Sequence, residues 1–279
     1  MTPIAEQMKN WTNTHPYLEG IAKVHVELEK ALQQTQVQPL EFAAWERYLP
    51  DYAEGQPLLR TPEGEAIVGI VAGALEPFAR RVAGAELPAE LRESAERIAS
   101  FCQSPSNAQQ LAQTVIDFKQ ATGLPDPGLA RLMVWLLVRE AVKVVTEEFE
   151  ERRDEQQWMR PYCPACGAEP GMSELLDMSA GKQRSMVCGL CNTRWVFHRV
   201  GCAYCGSDDQ ETNRILEIEG EDGLRLDCCN ECRGYVKTCT APELSQLAAA
   251  DWPTLHLDTI AQQQGYVSKG QSLYVISQG

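Results

Sequence analysis

The chain has 279 residues, enough for one large domain or two and for a sizeable buried core. Its formal charge of −14, from 39 acidic against 25 basic residues, works against a nucleic-acid partner, whose phosphates call for a basic footprint. The apolar run from Leu132 to Val138 lies between Arg131 and Arg139 and is far too short to cross a bilayer, so a soluble protein without membrane insertion is expected.

Residues 1 to about 158 read as helical and cysteine-poor. Leu18, Ile21, Val24, Leu28 and Leu32 recur at three- and four-residue steps, with Glu19, Lys23, Glu27 and Lys30 between them, which predicts a helix from Tyr17 to Leu32. The same periodicity predicts helices over Ala66–Val82, Leu91–Phe101, Ala108–Ala121 and Leu129–Phe149. Pro62, Pro88, Pro105 and the Pro125-Asp126-Pro127-Gly128 cluster mark the breaks. Ser104 or Ser106 is expected to cap the fourth helix, and Asp126 the fifth, with Pro127 in its first turn. His15 and His25 have no second ligand at helical spacing and are expected at the surface or at a cap. Cys102 reads as a small buried hydrophobe. This half carries neither a nucleophile paired with a base nor a glycine-rich phosphate loop, and a boundary is expected near Trp158–Pro161.

The next seventy residues hold eight cysteines in four CxxC pairs: Cys163/Cys166, Cys188/Cys191, Cys202/Cys205 and Cys229/Cys232. Cysteines spaced in this way can turn both sulfurs toward one ion, and two such knuckles complete a tetrahedron of thiolates. Cys163 to Cys202 is 39 residues and Cys188 to Cys229 is 41, so a unit with a knuckle at each end occurs twice. The sequential pairing therefore places Cys163, Cys166, Cys188 and Cys191 at one metal, and Cys202, Cys205, Cys229 and Cys232 at a second; spacing alone also permits cross-bracing. Disulfides are not expected, because the opening residues show neither the basic nor the apolar region of a secretory signal. Ten of the eleven cysteines lie between 163 and 239, which fits ligation in a reducing compartment, the cytoplasm by default.

Within the first unit, Leu175–Met178 and Gln183–Val187 are strand candidates around Ser179-Ala180-Gly181, followed by the alternating stretch from Trp195 to Val200. In the second, Ile215–Ile218 and Leu224–Leu226 flank a hairpin turn at 219–223. Each unit is small enough to need its own metal for stability. Gly167, Gly189 and Gly206 suit turns whose amides point at sulfur. Lys182, Arg184, Arg194 and Arg199 fall in an acid-free stretch and can offset the charge of the thiolate centres or form a docking surface. Trp195 reads as either core or exposed anchor, His198 has no place in a coordination already filled by sulfur, and Cys228 and Cys239 read as buried inert thiols. The tail from Ala241 is expected to pack on the helical domain through Leu244, Leu247 and an amphipathic Leu257–Gln264, ending in the apolar alternation Leu273-Tyr274-Val275-Ile276.

The order Cys163-Pro164-Ala165-Cys166-Gly167, Cys188-Gly189-Leu190-Cys191 with Trp195 and Arg199 after it, Cys202-Ala203-Tyr204-Cys205, and Cys229-Asn230-Glu231-Cys232 with Tyr235-Val236-Lys237, resembles the FdhE family of formate dehydrogenase accessory proteins. His15-Pro16-Tyr17-Leu18 and the stretch from Leu257 to Tyr266 are also similar, although the N-terminus is shorter than the family pattern. The resemblance implies a multidomain α+β fold: an N-terminal all-α helical domain (1–160), two tandem rubredoxin-like, zinc-ribbon-like β modules (161–200 and 201–240) and a C-terminal tail (241–279). It further implies iron at both four-cysteine sites, with zinc the alternative metal. The implied role is cytoplasmic assembly rather than catalysis, with the catalytic subunit of a molybdenum- or tungsten-containing, twin-arginine-exported formate dehydrogenase as partner. A homodimer is compatible with this reading. A rubredoxin-type electron carrier and a zinc-ribbon nucleic-acid binder are the competing functions.

Overall fold

The computed structural model describes residues 3–120, 123–179 and 181–274. These fold into two compact units, each assembled from non-contiguous stretches: Glu19–Trp45 with Leu59–Arg152, and Met1–Leu18 with Glu46–Leu58 and Arg153–Gly279. The helical span expected over 1–160 thus divides between them. Composition could not reveal this, because helix-forming sequence says nothing about which partner a helix packs against.

The first unit is all helical. Its elements are α2 (Glu19–Gln33), α4 (Ile67–Ala83), α5 (Ala89–Cys102), α6 (Pro105–Ile116) and α7 (Pro127–Arg152). All five periodic stretches are therefore helices. α7 is buried on nearly every side from Ala130 to Val138, so it is the central rod of its unit and shows no amphipathic stripe. Two of the expected caps do other work. Ser104 precedes α6 but its hydroxyl bonds to Ser106 Oγ at 2.8 Å, while the Asp126 carboxylate accepts from Ser94 (3.0 Å) and Arg97 (2.8 Å), tying the α7 entry back to α5. α6 ends at Ile116, short of the expected Ala121, and Phe118 beyond it takes a left-handed φ of 56°. Ala121 itself lies outside the described residues.

The second unit contains α1 (Pro3–Thr14), most of α3 (Trp45–Glu54) and all the strands. These are β1 (Met172–Met178), β2 (Gly181–Val187), β3 (Arg194–Phe197), β4 (Asn213–Glu217), β5 (Leu224–Cys229), β6 (Gly234–Cys239) and the short β7 (Val267–Ser268). Each cysteine unit supplies three strands, and the order β3-β2-β1-β6-β5-β4 makes one sheet of both. The junction is a parallel pairing of β1 with β6, in which Met172 aligns with Lys237 and Glu174 with Cys239. The two modules are halves of a continuous sheet.

One sheet face is covered by the tail. Met172, Leu224, Leu226, Cys228, Tyr235 and Cys239, at alternate positions along their strands, pack with Ala248, Leu257, Ala261 and Tyr266 from α8 (Ser245–Ala248), α9 (Leu255–Gln263) and the chain beyond. The tail covers the sheet, because a sheet with one apolar face needs a cover, and it also meets α1, where the Trp11 indole donates to the Pro253 carbonyl at 3.1 Å. Lys237 belongs to the same face and is buried. Its ammonium lies 3.1 Å from Asp251 and 3.0 Å from Asp258, both in the tail. Burial works to lower the Lys237 pKa, but the two carboxylates outweigh it and hold it above the ordinary value. Leu273 is buried; Val275 and Ile276 of the expected terminal alternation lie outside the described residues.

Candidate metal centres

The eight cysteines converge in two groups of four, Cys163/Cys166/Cys188/Cys191 and Cys202/Cys205/Cys229/Cys232, with all four sulfurs of each group within 4.8 Å of one another. The grouping is the sequential one. Cys163 and Cys191 sulfurs are 3.5 Å apart, as are those of Cys166 and Cys188. In the second group Cys202 to Cys232 is 3.6 Å and Cys205 to Cys229 is 3.7 Å. A disulfide would be about 2.05 Å, whereas a tetrahedron of metal–sulfur bonds of about 2.3 Å has edges of about 3.8 Å. The spacing and donor set fit a tetrahedral dication, which zinc and iron satisfy equally.

The knuckles share one backbone device. In the first three, the amide four residues after the leading cysteine bonds back to its carbonyl: Gly167 to Cys163 (2.9 Å), Asn192 to Cys188 (3.1 Å) and Gly206 to Cys202 (3.1 Å). The residue just after the second cysteine is left-handed in all four: Gly167 (83°), Asn192 (66°), Gly206 (74°) and Arg233 (58°). Gly189 is not part of this device. It is needed because a Cβ there would sit 2.0 Å from the Gln271 carbonyl oxygen. Arg233 holds its unusual backbone angle by donating to the Gly265 carbonyl at 2.8 Å and stacking over the Tyr266 ring, 4.4 Å from its centroid. Amides also point at sulfur: Leu190 and Cys191 at Cys188, Tyr204 at Cys202, and Gly234 at Cys232, each at 3.4 Å. Such bonds favour thiolate over thiol.

The two centres differ in their surroundings. All four sulfur residues of the first are buried, and Thr193 Oγ1 lies 3.2 Å from Cys191 Sγ. Burial raises the Cys163 and Cys166 thiols well above their ordinary range. At Cys191 the effect of burial is outweighed by hydrogen bonds from Cys163, Cys166, Cys188 and Thr193, which hold it well below. Four such groups can all ionise together only around a compensating dication. In the second centre Cys205 is exposed and Cys232 half-buried. Burial pushes the Cys202 thiol up to about 12.

Trp195, left open between core and anchor, is core: it is buried and its indole donates to the Arg160 carbonyl at 3.1 Å. Arg184, also buried, reaches the Gly201 carbonyl (2.9 Å), directly before the third knuckle, and lies 3.7 Å from Asp227. Arg194 pairs with buried Glu174 at 3.2 Å. Lys182 faces Asp177 at 3.6 Å on the hairpin, and Arg199 is exposed. Cys102, Cys228 and Cys239 are buried outside both groups, and burial raises their thiols to about 11, 12 and 11. His198 is exposed and ligates nothing among the described residues. His15 and His25, expected at the surface or at a cap, are buried, and His15 stands directly after the last residue of α1, its amide bonded to the Trp11 carbonyl at 2.8 Å. His15 stacks on Trp11 with ring centroids 4.1 Å apart and stands beside Glu221 and His256. Residues this distant in sequence leave no local signal.

On the sheet face opposite the tail, a groove of about 830 Å³ runs along β4, β5 and β6 to β2. Arg184, Arg199, Arg214, Arg225 and Lys182 line it, together with Val200 and Ile215, which are 56% and 54% exposed. Cys202 and Cys229 of the second centre form part of its wall. Among the described residues no helix is long and apolar enough to cross a membrane.

A mixed sheet carrying two tetrathiolate knuckle pairs, joined to helices, defines a protein with two metal-binding β modules. Residues 162–199, the whole first module, match the family model described as FdhE, central domain. A protein FdhE homolog of Shewanella baltica is 27% identical over 188 residues, 65% of this chain and 60% of that protein. One from Aquifex aeolicus is 26% identical over 122 residues, 41% of each. The chain thus spans about 40 to 60% of the length of these curated relatives. The crystal structure of the FdhE protein from Pseudomonas aeruginosa shares the fold, with a TM-score of 0.66 over 99% of this chain and 95% of that one at 20% identity. The chain is thus similar to the FdhE family in its first cysteine module and shares the fold of an FdhE protein.

Proposed function

We propose that this protein is a cytoplasmic assembly factor for formate dehydrogenase: it binds the catalytic subunit before export, carries iron in both tetrathiolate centres and turns over no substrate of its own. The observation that carries the reading is the groove on the open sheet face. It combines a concave surface, exposed Val200 and Ile215, and a rim of both charge signs, with Lys182 and four arginines beside Glu217, Glu221, Asp222 and Asp227. Apolar anchors in a rim of mixed charge suit a protein surface better than a small substrate. Exposure of Cys205 adds a route by which the second centre can sense redox state or the bound subunit. This favours iron, since zinc offers no redox change.

The test is co-purification with a co-expressed formate dehydrogenase catalytic subunit, comparing wild type with the double variant Arg199→Glu/Ile215→Asp. Both positions are exposed, so the variant is expected to fold, to keep two metals per chain and to lose at least about 90% of the captured subunit, about 1.4 kcal/mol or more of binding. Wild type that recovers no subunit above background defeats the proposal. A variant that recovers as much as wild type removes the groove from it.

A further inference from the structure

Three side chains of metal-ligating type, far apart in sequence, meet outside the cysteine centres. His15 follows the last turn of α1, Glu221 lies in the turn between β4 and β5, and His256 is in the first turn of α9. His15 Nε2 and His256 Nε2 are each 2.9 Å from the same oxygen, Glu221 Oε1. The side chains are 9%, 10% and 8% exposed for His15, His256 and Glu221, so two imidazoles and a carboxylate have left water together.

Hydrogen bonding leaves this cluster incomplete. His15 Nδ1 lies 3.0 Å from the Trp11 carbonyl oxygen and 2.9 Å from Thr14 Oγ1, whose own proton goes to that same carbonyl at 3.0 Å, so both neighbours accept and that nitrogen carries a proton. Nε2 then keeps its 2.9 Å contact with Glu221 Oε1 through a cation, either a second ring proton, which makes an imidazolium–carboxylate hydrogen bond, or a metal ion. At His256 neither ring nitrogen has a hydrogen-bond partner despite the 2.9 Å approach, and Glu221 Oε2 is also buried without one. The carboxylate oxygen therefore stands close to His256 Nε2 but off the axis of its N–H. Ligands on adjacent corners of an octahedron, each about 2.1 Å from an ion, are about 3 Å apart, with their lone pairs aimed at the ion and not at each other.

We propose that His15 Nε2, His256 Nε2 and the Glu221 carboxylate form a third metal site, for a divalent first-row transition ion. Its two-nitrogen, one-oxygen donor set is harder than the tetrathiolates and selects differently among metals. The Trp11 carbonyl is the outer partner that fixes the His15 tautomer. Tyr17 sets its ring edge against both imidazoles, at 5.8 and 5.9 Å, while remaining 64% exposed. The ion clasps the N-terminal helix to the β4–β5 turn and α9, three segments with no other covalent or metal link among the described residues.

The full chain, its cysteine centres filled as isolated, is labelled with 15N-histidine and titrated with Co2+. Only four histidines report: His15, His25, His198 and His256. One equivalent is expected to shift or broaden the imidazole signals of His15 and His256 while sparing His25 and His198. Glu221→Gln, and separately His256→Asn, are expected to weaken Co2+ binding at least about 10-fold with unchanged far-ultraviolet circular dichroism. Having two variants keeps the test informative if one misfolds. His15 and His256 signals unmoved at one equivalent would overturn the site, leaving a proton-bridged cluster. So would cobalt that appears only as thiolate charge-transfer absorption, or binding that is equal in wild type and both variants.

Discussion

The two tetrathiolate centres are built from the same knuckle, yet one is sealed and the other faces solvent. In the first, every cysteine is buried and Trp195 closes the module. In the second, Cys205 is exposed, Cys232 half-buried, and the groove reaches the cysteines directly. The shared geometry comes from the repeat and the difference from what covers it. Segments 46–58 and 268–272 pack about the first centre, as in the Leu58 amide bond to the Pro164 carbonyl at 2.9 Å and the Gln271 carbonyl against Gly189. One centre is thus enclosed by the fold and the other open to solvent.

The sharpest way to break this comparison is to remove one ligand from each. Cys166→Ser is expected to release the first metal and unfold the whole sheet, a loss on the scale of about 10 kcal/mol that structural tetrathiolates supply. Cys205→Ser should release only the second metal and leave β1 to β3 folded. Metal content with a circular-dichroism melt distinguishes them, and equal damage from both would erase the asymmetry.

The junction strand gives the next effect. Lys237→Met leaves Asp251 and Asp258 buried without their cation, and a loss of about 3–5 kcal/mol in urea unfolding is expected. Asp251 carries its own pH signature. Burial there opposes ionisation, but Lys237, the Ser272 hydroxyl and the Tyr274 amide outweigh it and hold the carboxyl below its ordinary value. Its contribution is therefore present above about pH 4, the unfolded value, and lost as pH falls through the lower folded pKa. In Lys237→Met, stability should fall less steeply with acid below about pH 4, and an unchanged slope would count against the pairing.

The smallest effect is kinetic. A chelator should strip the second centre at least about 10-fold faster than the first, roughly 1.4 kcal/mol in barrier, as followed by two-phase metal release. Both phases should quicken toward acid, since ligation requires thiolates and protons compete for them. A single phase would show that exposure of Cys205 does not govern access.

Much of this was legible in the sequence. Four CxxC pairs at repeating intervals set out both centres, because ligand geometry is local and recurs in the chain. Four of the five long helices followed from their apolar period, while α7, buried on nearly every side, followed from the length of its apolar sequence. β6 was not legible as a strand: all six of its residues are buried, including a lysine, so it lacks the alternation that marks a half-exposed strand. α3 was missed because Pro50 lies inside it. Asn192 and Arg233 take the left-handed place that glycine takes in the other knuckles, and neither residue announces it. The His15, Glu221 and His256 meeting spans more than two hundred residues, and nothing in a linear pattern encodes it.

The β1–β6 junction also bears on how such units polymerise. By chain order β1 corresponds to β4 and β3 to β6, so the two modules join head to tail. A contact of that kind closes nothing, since each addition offers the next the same free end. Here the outer edge of β3 is stopped by Glu155, whose carboxylate accepts from the Val196 amide at 3.0 Å, and the β4 edge carries exposed Arg214 and Glu217. One carboxylate at one strand edge thus occupies an amide that a further strand would need.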